Sequence, residues 1–442
     1  MIAIVVSRAD EASTHIGKQL RAAADWTERE DRSRPDADGG GTYYRTEGFE
    51  LRTFDDLHIY LDDPTPAFDD PDYLVFASRH SGETGPLLSA HFTGNFGDAE
   101  YGGEPGSLAR TCPNAQKAVL ASLAAHAPAE YDVALECTHH GPTDLAAPSM
   151  FVELGSDEPQ WRDPEGARAV ARAILALRGV APDRERQLVG FGGGHYAPRF
   201  TRVVRETDWA VGHVGADWQL AAMGDPADER DLLDSAFRQS GATRAVVEGD
   251  HPDVEAVVES LGYRVVSETW VRETSGVPLA VVDAVETDLG SVDDGVRFGD
   301  HATAAEATAF ESVSLPGDLL TEVQGIDAAD AREAVEAHTV AFETEQGGTR
   351  VAGAAAVRDE TDREALYDAL ADLLRTKYDE VDRTDDAIVA RQTAFDPAKA
   401  RTLGVPEGPK FGRLAGGQPV KVDGREVTPE AVESRRTVEF DL

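Results

Sequence analysis

The 442-residue chain contains 82 acidic and 42 basic residues, a formal net charge of −40, and only six of the basic residues are lysine. This balance is typical of a halophilic protein, one that works in multimolar salt, where charge repulsion is screened within about 3 Å at 1 M salt. An apolar content of 41% excludes a disordered acidic chain, and two cysteines exclude a disulfide scaffold and indicate a reducing cytoplasm. No apolar run approaches the ~18 residues that a membrane span needs, so we expect a cytoplasmic protein with no membrane partner.

The first 273 residues are predicted to alternate between strands and helices. A strand over 2–6 precedes a helix that begins with Ser13 as its N-cap and ends near Trp26. The polar, Gly-rich segment 27–47 is predicted as a surface insertion. Further helices are predicted over 114–126, 164–177, 228–240 and 253–261, with a strand over 245–248. This alternation indicates a layered α/β fold with a parallel or mixed sheet.

Four further apolar runs each lead into histidine. The predicted strand over 73–76 is followed by His80, and the one over 133–135 by His139 and His140. The predicted strand over 188–191 is followed by His195, and the one over 209–211 by His213. Because ligands of open α/β sheets bind outside the carboxyl ends of the strands, we expect these histidines to share one sheet edge and one site. Imidazole suits acid–base chemistry near neutral pH and also binds zinc.

The adjacent pair His139 and His140 is the densest of these motifs. Neighbouring side chains on an extended backbone point to opposite faces, so only one of the pair is expected to face the site, where His80 and His195 join it. Three histidines with an open position suit zinc. The sequence has no HxxxH or CxxC spacing, so a histidine base without a metal stays open as an alternative.

Other residues near these strand ends offer further groups. Gly193 and Gly194 precede His195. Their backbone N–H groups can hold an oxyanion or a phosphate; alternatively, the two glycines serve only to form a tight turn. Glu153 follows another apolar run, where it can act as a general base, orient a histidine or line the rim. Cys137 lies inside a predicted strand and is expected to be an inert core residue.

One stretch runs against the overall charge. Between residues 162 and 205 there are nine arginines and only four acidic residues. Three of the arginines, Arg199, Arg202 and Arg205, follow His195 at three-residue spacing. A basic stretch beside the predicted site, in so acidic a chain, indicates that the site meets a polyanion.

After residue 273 the composition changes. Residues 274–300 are predicted as a linker or edge region, and 301–394 as an acidic α+β extension with a helix over 364–378. Between 276 and 394, acidic residues outnumber basic residues by 27 to nine. The segment 395–442 holds three of the six lysines and is predicted as a small module of more basic character.

The motifs of residues 1–273 resemble, in order, those of the archaeal and plant type of D-aminoacyl-tRNA deacylase. They are Ser78-Arg79-His80-Ser81, His91-Phe92-Thr93-Gly94-Asn95, Glu136-Cys137-Thr138-His139-His140-Gly141-Pro142, Glu153-Leu154-Gly155-Ser156 with Trp161, Gly192-Gly193-Gly194-His195-Tyr196 and Gly212-His213. Cys137 departs from the family, which more usually has alanine there; one small residue replaces another.

The resemblance implies hydrolysis of the ester that joins a D-amino acid to the tRNA 3′ end, with zinc as cofactor and two ions per chain. It also implies a three-layer α/β/α fold with a mixed sheet, similar to the phosphorylase/hydrolase group. We expect His80, His140 and His195 to bind zinc, with His139 and Glu153 as further catalytic groups. Water activated by zinc or by histidine then attacks the ester carbonyl, Gly193 and Gly194 hold the oxyanion, and the enzyme is a monomer.

The segment 403–414 is similar to part of ribonuclease Z, which processes tRNA 3′ ends. On this interpretation, Lys410 and Arg413 bind tRNA together with Arg199, Arg202 and Arg205. Two other classes of protein stay open on sequence alone. One is a related hydrolase, such as a peptidyl-tRNA hydrolase or a metallopeptidase, and the other is a non-enzymatic module that binds the tRNA end.

Overall fold

The computed structural model describes residues 1–306 and 309–442, which form two compact units, Met1–Ser275 and Gly276–Leu442. Within these described ranges, no helix is both long enough and apolar enough to cross a membrane.

Strands and helices alternate along the first unit, which confirms the mixed α/β class expected from the sequence. Its strands are β1 (Ile2–Ser7), β2 (Thr27–Asp31), β3 (Gly41–Thr46), β4 (Phe49–Phe54), β5 (Tyr73–Arg79), β6 (Leu87–His91), β7 (Gly94–Asn95), β8 (Ser107–Leu108), β9 (Asp132–Leu135), β10 (Ser149–Gly155), β11 (Gln187–Gly192), β12 (Ala210–Gly215), β13 (Arg244–Glu248) and β14 (Arg264–Val265). Its helices are α1 (Glu11–Ala23), α2 (Pro113–His126), α3 (Glu158–Trp161), α4 (Pro164–Leu175), α5 (Pro198–Glu206), α6 (Asp217–Met223), α7 (Arg230–Ser240), α8 (Pro252–Ser260) and α9 (Glu268–Glu273).

Two sheets form the framework of this unit. The larger has the order β2-β3-β4-β1-β5-β10-β6-β9, in which β4, β1, β5 and β10 are parallel and β6 is antiparallel to β10. The smaller is entirely parallel, with the order β12-β11-β13-β14. The expectation of a single sheet edge is therefore wrong, because β5 and β9 belong to one sheet and β11 and β12 to the other.

The backbone that follows β9 joins the two sheets. The Cys137 N–H donates to the His195 carbonyl at 2.8 Å, and the Thr138 N–H donates to the Val214 carbonyl at 2.8 Å. These hydrogen bonds bring the end of β9 beside β11 and β12. Side chains that follow strands of different sheets can therefore meet in one site.

Two local predictions differ from the structure. The N-cap of α1 is Asp10 rather than Ser13, because the Asp10 carboxylate accepts the Ser13 N–H at 3.0 Å. The segment 27–47, predicted only as a surface insertion, is ordered as the antiparallel hairpin β2–β3. Polar side chains are tolerated there because β2 is the exposed edge strand of the sheet and β3, which pairs with β2 and β4, is only half-buried.

The residues described in the second unit form three small antiparallel sheets. Its strands are β15 (Val296–Phe298), β16 (Glu311–Ser314), β17 (Ala341–Glu345), β18 (Arg350–Val357), β19 (Glu380–Arg383), β20 (Ala387–Phe395), β21 (Val420–Val422), β22 (Arg425–Val427) and β23 (Glu433–Asp441). Its helices are α10 (Leu279–Asp288), α11 (Gly317–Ile326), α12 (Ala328–His338), α13 (Glu360–Leu374), α14 (Pro397–Thr402) and α15 (Pro409–Ala415).

Regular structure crosses the boundaries expected in this half of the chain. The segment 274–300, predicted as a linker, contains α10 and β15. Residues 395–442 have a small apolar core that includes Val405, Leu414 and Val432. They also share a sheet with the acidic extension, because β23 pairs with β20 along its whole length. Removing these residues would therefore expose β20.

Candidate active site

A cavity of about 510 Å³ lies beyond the ends of β5 and β9, in the first unit. All five predicted catalytic side chains line it: His80, His139, His140, His195 and Glu153. His80 follows β5 directly, and Glu153 lies on the adjacent β10 opposite Ser78. His195 arrives from the second sheet through the junction described above. Parallel strand ends thus place these groups together, although only some of the strands share a sheet.

The turn at His139 and His140 overturns the expectation that only one of the pair faces the site. His140 has a φ of 49°, in the left-handed region, so the backbone is not extended there. The two ring centroids lie 4.5 Å apart and both rings line the cavity. Gly141 makes this turn possible, since a Cβ at that position would lie 2.3 Å from the Gly103 nitrogen.

Three histidine rings form a tight cluster: His91, His139 and His140. Their Nδ1 atoms lie 3.0, 2.8 and 2.7 Å from the carbonyl oxygens of Phe92, Cys137 and Gly141, respectively. If each Nδ1–H donates to its carbonyl, Nε2 keeps its lone pair, and one ligand atom from each ring lies within 4.8 Å of the others. The cluster therefore has the donor arrangement of a metal site.

The charge states of the rings in this cluster differ. Burial, followed by repulsion from His91, lowers the pKa of His140 to about 3, and burial also holds the pKa of His139 well below its ordinary value. Burial opposes protonation of His91 too, but its interaction with Glu153 outweighs that cost and raises its pKa. Protonation within this cluster is therefore favoured at His91 and disfavoured at His139 and His140.

Two buried carboxylates lie beside the histidines. His80 Nδ1 is 3.2 Å from Glu136 Oε1 and 3.6 Å from Glu153 Oε2. Burial opposes protonation of His80, yet Glu136 and Glu153 outweigh it and raise its pKa to about 10. The pKa of Glu136 is held well below its ordinary value, because hydrogen bonds from His195 and His80 outweigh the cost of burial.

His195 lies between this carboxylate pair and the cavity. Its Nε2 is 2.8 Å from Glu136 Oε2, and its side chain is 31% exposed. Its Nδ1 lies 3.6 Å from the sulfur of Cys137, which is buried but follows β9 rather than lying inside a strand. Burial raises the pKa of the Cys137 thiol, so the thiol stays protonated near neutral pH.

The predicted zinc ligands do not form one cluster. His140 groups with His91 and His139, whereas His80 groups with Glu136 and Glu153. His195 groups with Cys137 and His139. Sequence reasoning gave no catalytic role to Glu136 or His91, although both stand in the motifs that carry the resemblance and both belong to these groups.

His213 is not part of the site. It lies within β12, fully buried. Its ring nitrogens lie 3.0 Å from Thr138 Oγ1 and 2.8 Å from the Ala109 carbonyl oxygen. It is therefore a core histidine with both nitrogens satisfied.

The proposed oxyanion hole at Gly193 and Gly194 is not supported by the hydrogen bonds of this loop. The Gly193 N–H donates to Asp217 Oδ1 at 2.8 Å, so it is already satisfied. Neither glycine lines the cavity that holds the histidines. The φ of Gly193 is 78°, which supports the simpler interpretation of a turn that favours glycine.

Two of the three predicted phosphate-binding arginines are already paired. On α5, Arg202 binds both carboxylate oxygens of Glu268, at 2.9 and 2.8 Å, and Arg199 lies 3.2 Å from the same carboxylate. Arg205 is exposed, and its guanidinium has no ion pair or hydrogen bond with the described part of the chain. Of the three, Arg205 is the one free to bind a phosphate.

Substitution of Arg205 and Arg202 should therefore have different effects. Arg205→Gln is expected to raise the KM for an acylated tRNA a few-fold and leave the melting temperature unchanged. Arg202→Gln should cost about 0.2–1 kcal/mol of stability, because it breaks a surface ion pair. Steady-state kinetics and thermal melts check both variants. An unchanged KM in Arg205→Gln would remove that residue from the contact surface.

The two predicted tRNA contacts of the second unit lie on α15. Lys410 Nζ donates to the Lys421 carbonyl at 2.7 Å, and Arg413 lies 3.5 Å from the Pro419 carbonyl oxygen. Backbone carbonyls do not neutralise these side chains, so both keep a charge to offer to a phosphate. Their role in binding tRNA stays a prediction.

The fold and the site together define a mixed α/β protein with a buried histidine–carboxylate centre. A family model described as D-aminoacyl-tRNA deacylase matches residues 67–266. Proteins named D-aminoacyl-tRNA deacylase from Halorubrum lacusprofundi and Natronomonas pharaonis are 57% and 55% identical, and the alignments cover all of this chain and 97% and 100% of theirs. The chain belongs to the D-aminoacyl-tRNA deacylase family.

More distant matches extend this comparison. A protein of the same name from Methanoculleus marisnigri is 34% identical over 83% of each chain. A crystal structure described as that of a conserved protein of unknown function is similar with a TM-score of 0.56 and 29% identity, over 62% of this chain and 98% of that one. The relatives at 55–57% identity therefore span both units, whereas the solved neighbour corresponds to part of this chain.

Proposed function

We propose that this chain hydrolyses the ester between a D-amino acid and the 3′ end of tRNA, at the cavity of buried histidines and carboxylates. Membership of the D-aminoacyl-tRNA deacylase family supports the reaction. The single observation that carries the site assignment is the cluster of His91, His139 and His140. Their Nδ1 atoms all face backbone carbonyls, and their ligand atoms converge beside Glu153 and Glu136.

The residues of the cavity fit zinc. His91 Nε2 is fully buried without a hydrogen-bond partner, as expected of an atom whose partner is an ion. His91, His139 and His140 would hold one ion. His80, Glu136 and Glu153 would hold a second, since one ligand atom from each of them lies within 4.8 Å of the others. These two donor groups share no residue, whereas the group of Cys137, His139 and His195 shares His139 with the first, so the arrangement supports the expectation of two zinc ions.

The chain's own groups complete the site around the cofactor. Bound zinc acidifies water and polarises a carbonyl oxygen. The Glu136 carboxylate accepts the Nε2–H of His195 and so orients the imidazole, one edge of which reaches the cavity. We assign to His195 the protonation of the 3′ oxygen as it leaves the ester, because it is the histidine held by a carboxylate and open to the cavity.

Arg205, Lys410 and Arg413 remain the proposed phosphate contacts for tRNA. We further propose that the enzyme is a cytoplasmic monomer adapted to high salt. The net charge of −40 with only six lysines supports the adaptation to salt.

The salt adaptation predicts an unusual salt dependence. A chain of charge −40 and tRNA repel each other at low salt, and multimolar KCl screens this repulsion. The KM for D-tyrosyl-tRNA should stay flat or fall between about 0.5 and about 3 M KCl, where an ordinary tRNA-binding protein loses affinity steeply. Steady-state kinetics measure the KM at each KCl concentration, and circular dichroism checks that the same fraction of the enzyme is folded at each one. D-tyrosyl-adenosine, which has no phosphate, is the control; a steep rise of KM for tRNA alone would refute the argument.

A panel of substrates tests the proposed reaction against its alternatives. The wild-type enzyme should deacylate D-tyrosyl-tRNA in high KCl and leave L-tyrosyl-tRNA, peptidyl-tRNA and dipeptides largely intact. Cleavage of peptidyl-tRNA or dipeptides instead would favour the related hydrolases. Binding of tRNA without hydrolysis of any substrate would favour a non-enzymatic module.

A further inference from the structure

Two cavities meet at the histidines. Beside the first, of about 510 Å³, lies a second of about 340 Å³, and His139, His140, His195 and Tyr101 line both. An ester whose carbonyl lies at these histidines must extend to both sides. Its acyl part occupies one cavity and its alcohol part the other.

The two cavities differ in charge. Arg79 lines the first and is the only lysine or arginine among the described residues that line either cavity. Its guanidinium lies 5.0 Å from the centroid of the Trp161 ring. The second cavity has two exposed carboxylates at its rim, Asp98 and Glu100. A phosphate is therefore more favourable in the first cavity than in the second, and the preference of an ammonium group is the opposite.

Each cavity is lined by two carboxylates, Asp10 and Glu153 in the first and Asp98 and Glu100 in the second, so the difference in charge between them comes from Arg79. Asp10 accepts the backbone N–H groups of Ser13 and Arg79, each at 3.0 Å. Glu153 faces His80 and His91, each at 3.6 Å.

The second cavity also has an aromatic rim. Trp218 and Tyr101 are 54% and 57% exposed, and Phe96 and Ala222 line the interior. Trp218 lines this cavity together with His195. Large exposed aromatic side chains around a cavity are typical of a recognition surface.

We propose that the second cavity is the subsite for the D-amino acid, and that the first receives the terminal nucleotide. Trp218 and Tyr101 pack against the amino-acid side chain, and Asp98 and Glu100 attract its α-ammonium group. Arg79 binds the phosphate on the 5′ side of the terminal adenosine. This assignment rests on the proposed function, because it divides that substrate between two cavities on either side of the same histidines.

Trp218 variants test the amino-acid subsite. Trp218→Ala should lower kcat/KM about tenfold for D-tyrosyl-tRNA and progressively less along D-phenylalanyl-, D-leucyl- and D-alanyl-tRNA, to less than about threefold for the last. Trp218→Phe, which keeps an aromatic ring, should restore most of the loss. An equal loss on all four esters would show that the indole contacts a part common to every substrate, such as the adenine, and would overturn the assignment.

Arg79 variants test the nucleotide subsite. Arg79→Gln should raise KM about tenfold for D-tyrosyl-tRNA and leave hydrolysis of D-tyrosyl-adenosine, which lacks the phosphate, unchanged. Arg172→Gln, an exposed arginine of α4 that lines neither cavity, is the matched control. An equal loss on both substrates would contradict a phosphate contact at Arg79.

Failure of this inference is distinguishable from failure of the proposed function. If the wild-type enzyme hydrolyses D-tyrosyl-tRNA and the Trp218 and Arg79 variants lose activity uniformly, only the division of the substrate is wrong. If the wild-type enzyme hydrolyses none of the D-esters, the proposed function itself fails and takes the subsite assignment with it.

Discussion

His140→Ala should lower the deacylation of D-tyrosyl-tRNA by at least about 10²-fold. His140 belongs to the cluster that is proposed to hold zinc, and alanine removes one of its three ligand atoms. The loss should appear in kcat, together with a lower zinc content per chain. Steady-state kinetics in high KCl and elemental analysis of the purified variant measure the two effects.

The matched control is His126→Ala. His126 is an exposed histidine at the end of α2, and it lines neither of the two cavities. It should keep wild-type activity and zinc content. If His140→Ala folds, as judged by its thermal melt, and turns over near the wild-type rate, His140 has no part in the site.

Glu136→Gln should also lower kcat by about 10²-fold or more, with a smaller change in KM. Glu136 is buried, and it lies 2.8 Å from His195 and 3.2 Å from His80. The amide has nearly the same shape but no charge, so it no longer stabilises the protonated form of His80 and is a poorer ligand for zinc. Kinetics on D-tyrosyl-tRNA and on D-tyrosyl-adenosine should show the same loss, because the effect lies at the reacting ester.

The exposed Glu165, in the first turn of α4, provides the matched control for the loss of one carboxylate. Glu165→Gln should behave as the wild-type enzyme does. A Glu136→Gln variant that retains most of its kcat would mean that the carboxylate is only structural, and His195 would lose its assigned orienting group.

The convergence of His80, His139, His140 and His195 could be predicted because it depends on local signals. Each follows a short apolar run, and such runs become buried strands whose ends are sites for ligands. That these ends come from two sheets could not be predicted, since it depends on the hydrogen bonds of Cys137 and Thr138 to a distant part of the chain.

The detailed site was less predictable, because it depends on backbone angles and on contacts between distant residues. The left-handed backbone at His140 turns both rings toward one cavity, against the alternation expected of an extended segment. The engagement of Gly193 by Asp217, and of Arg202 by Glu268, similarly involves partners far along the chain. No periodicity in the sequence reports such pairs.

The fit of the site to zinc leads to the most direct test. Wild-type enzyme in high KCl is assayed on D- and L-tyrosyl-tRNA before and after dialysis against a chelator, with zinc then restored. We expect rapid hydrolysis of the D-ester alone, loss of that activity with the metal and its recovery on addition of zinc. Undiminished hydrolysis of D-tyrosyl-tRNA by enzyme shown to be free of metal would contradict a zinc centre built on His91, His139 and His140.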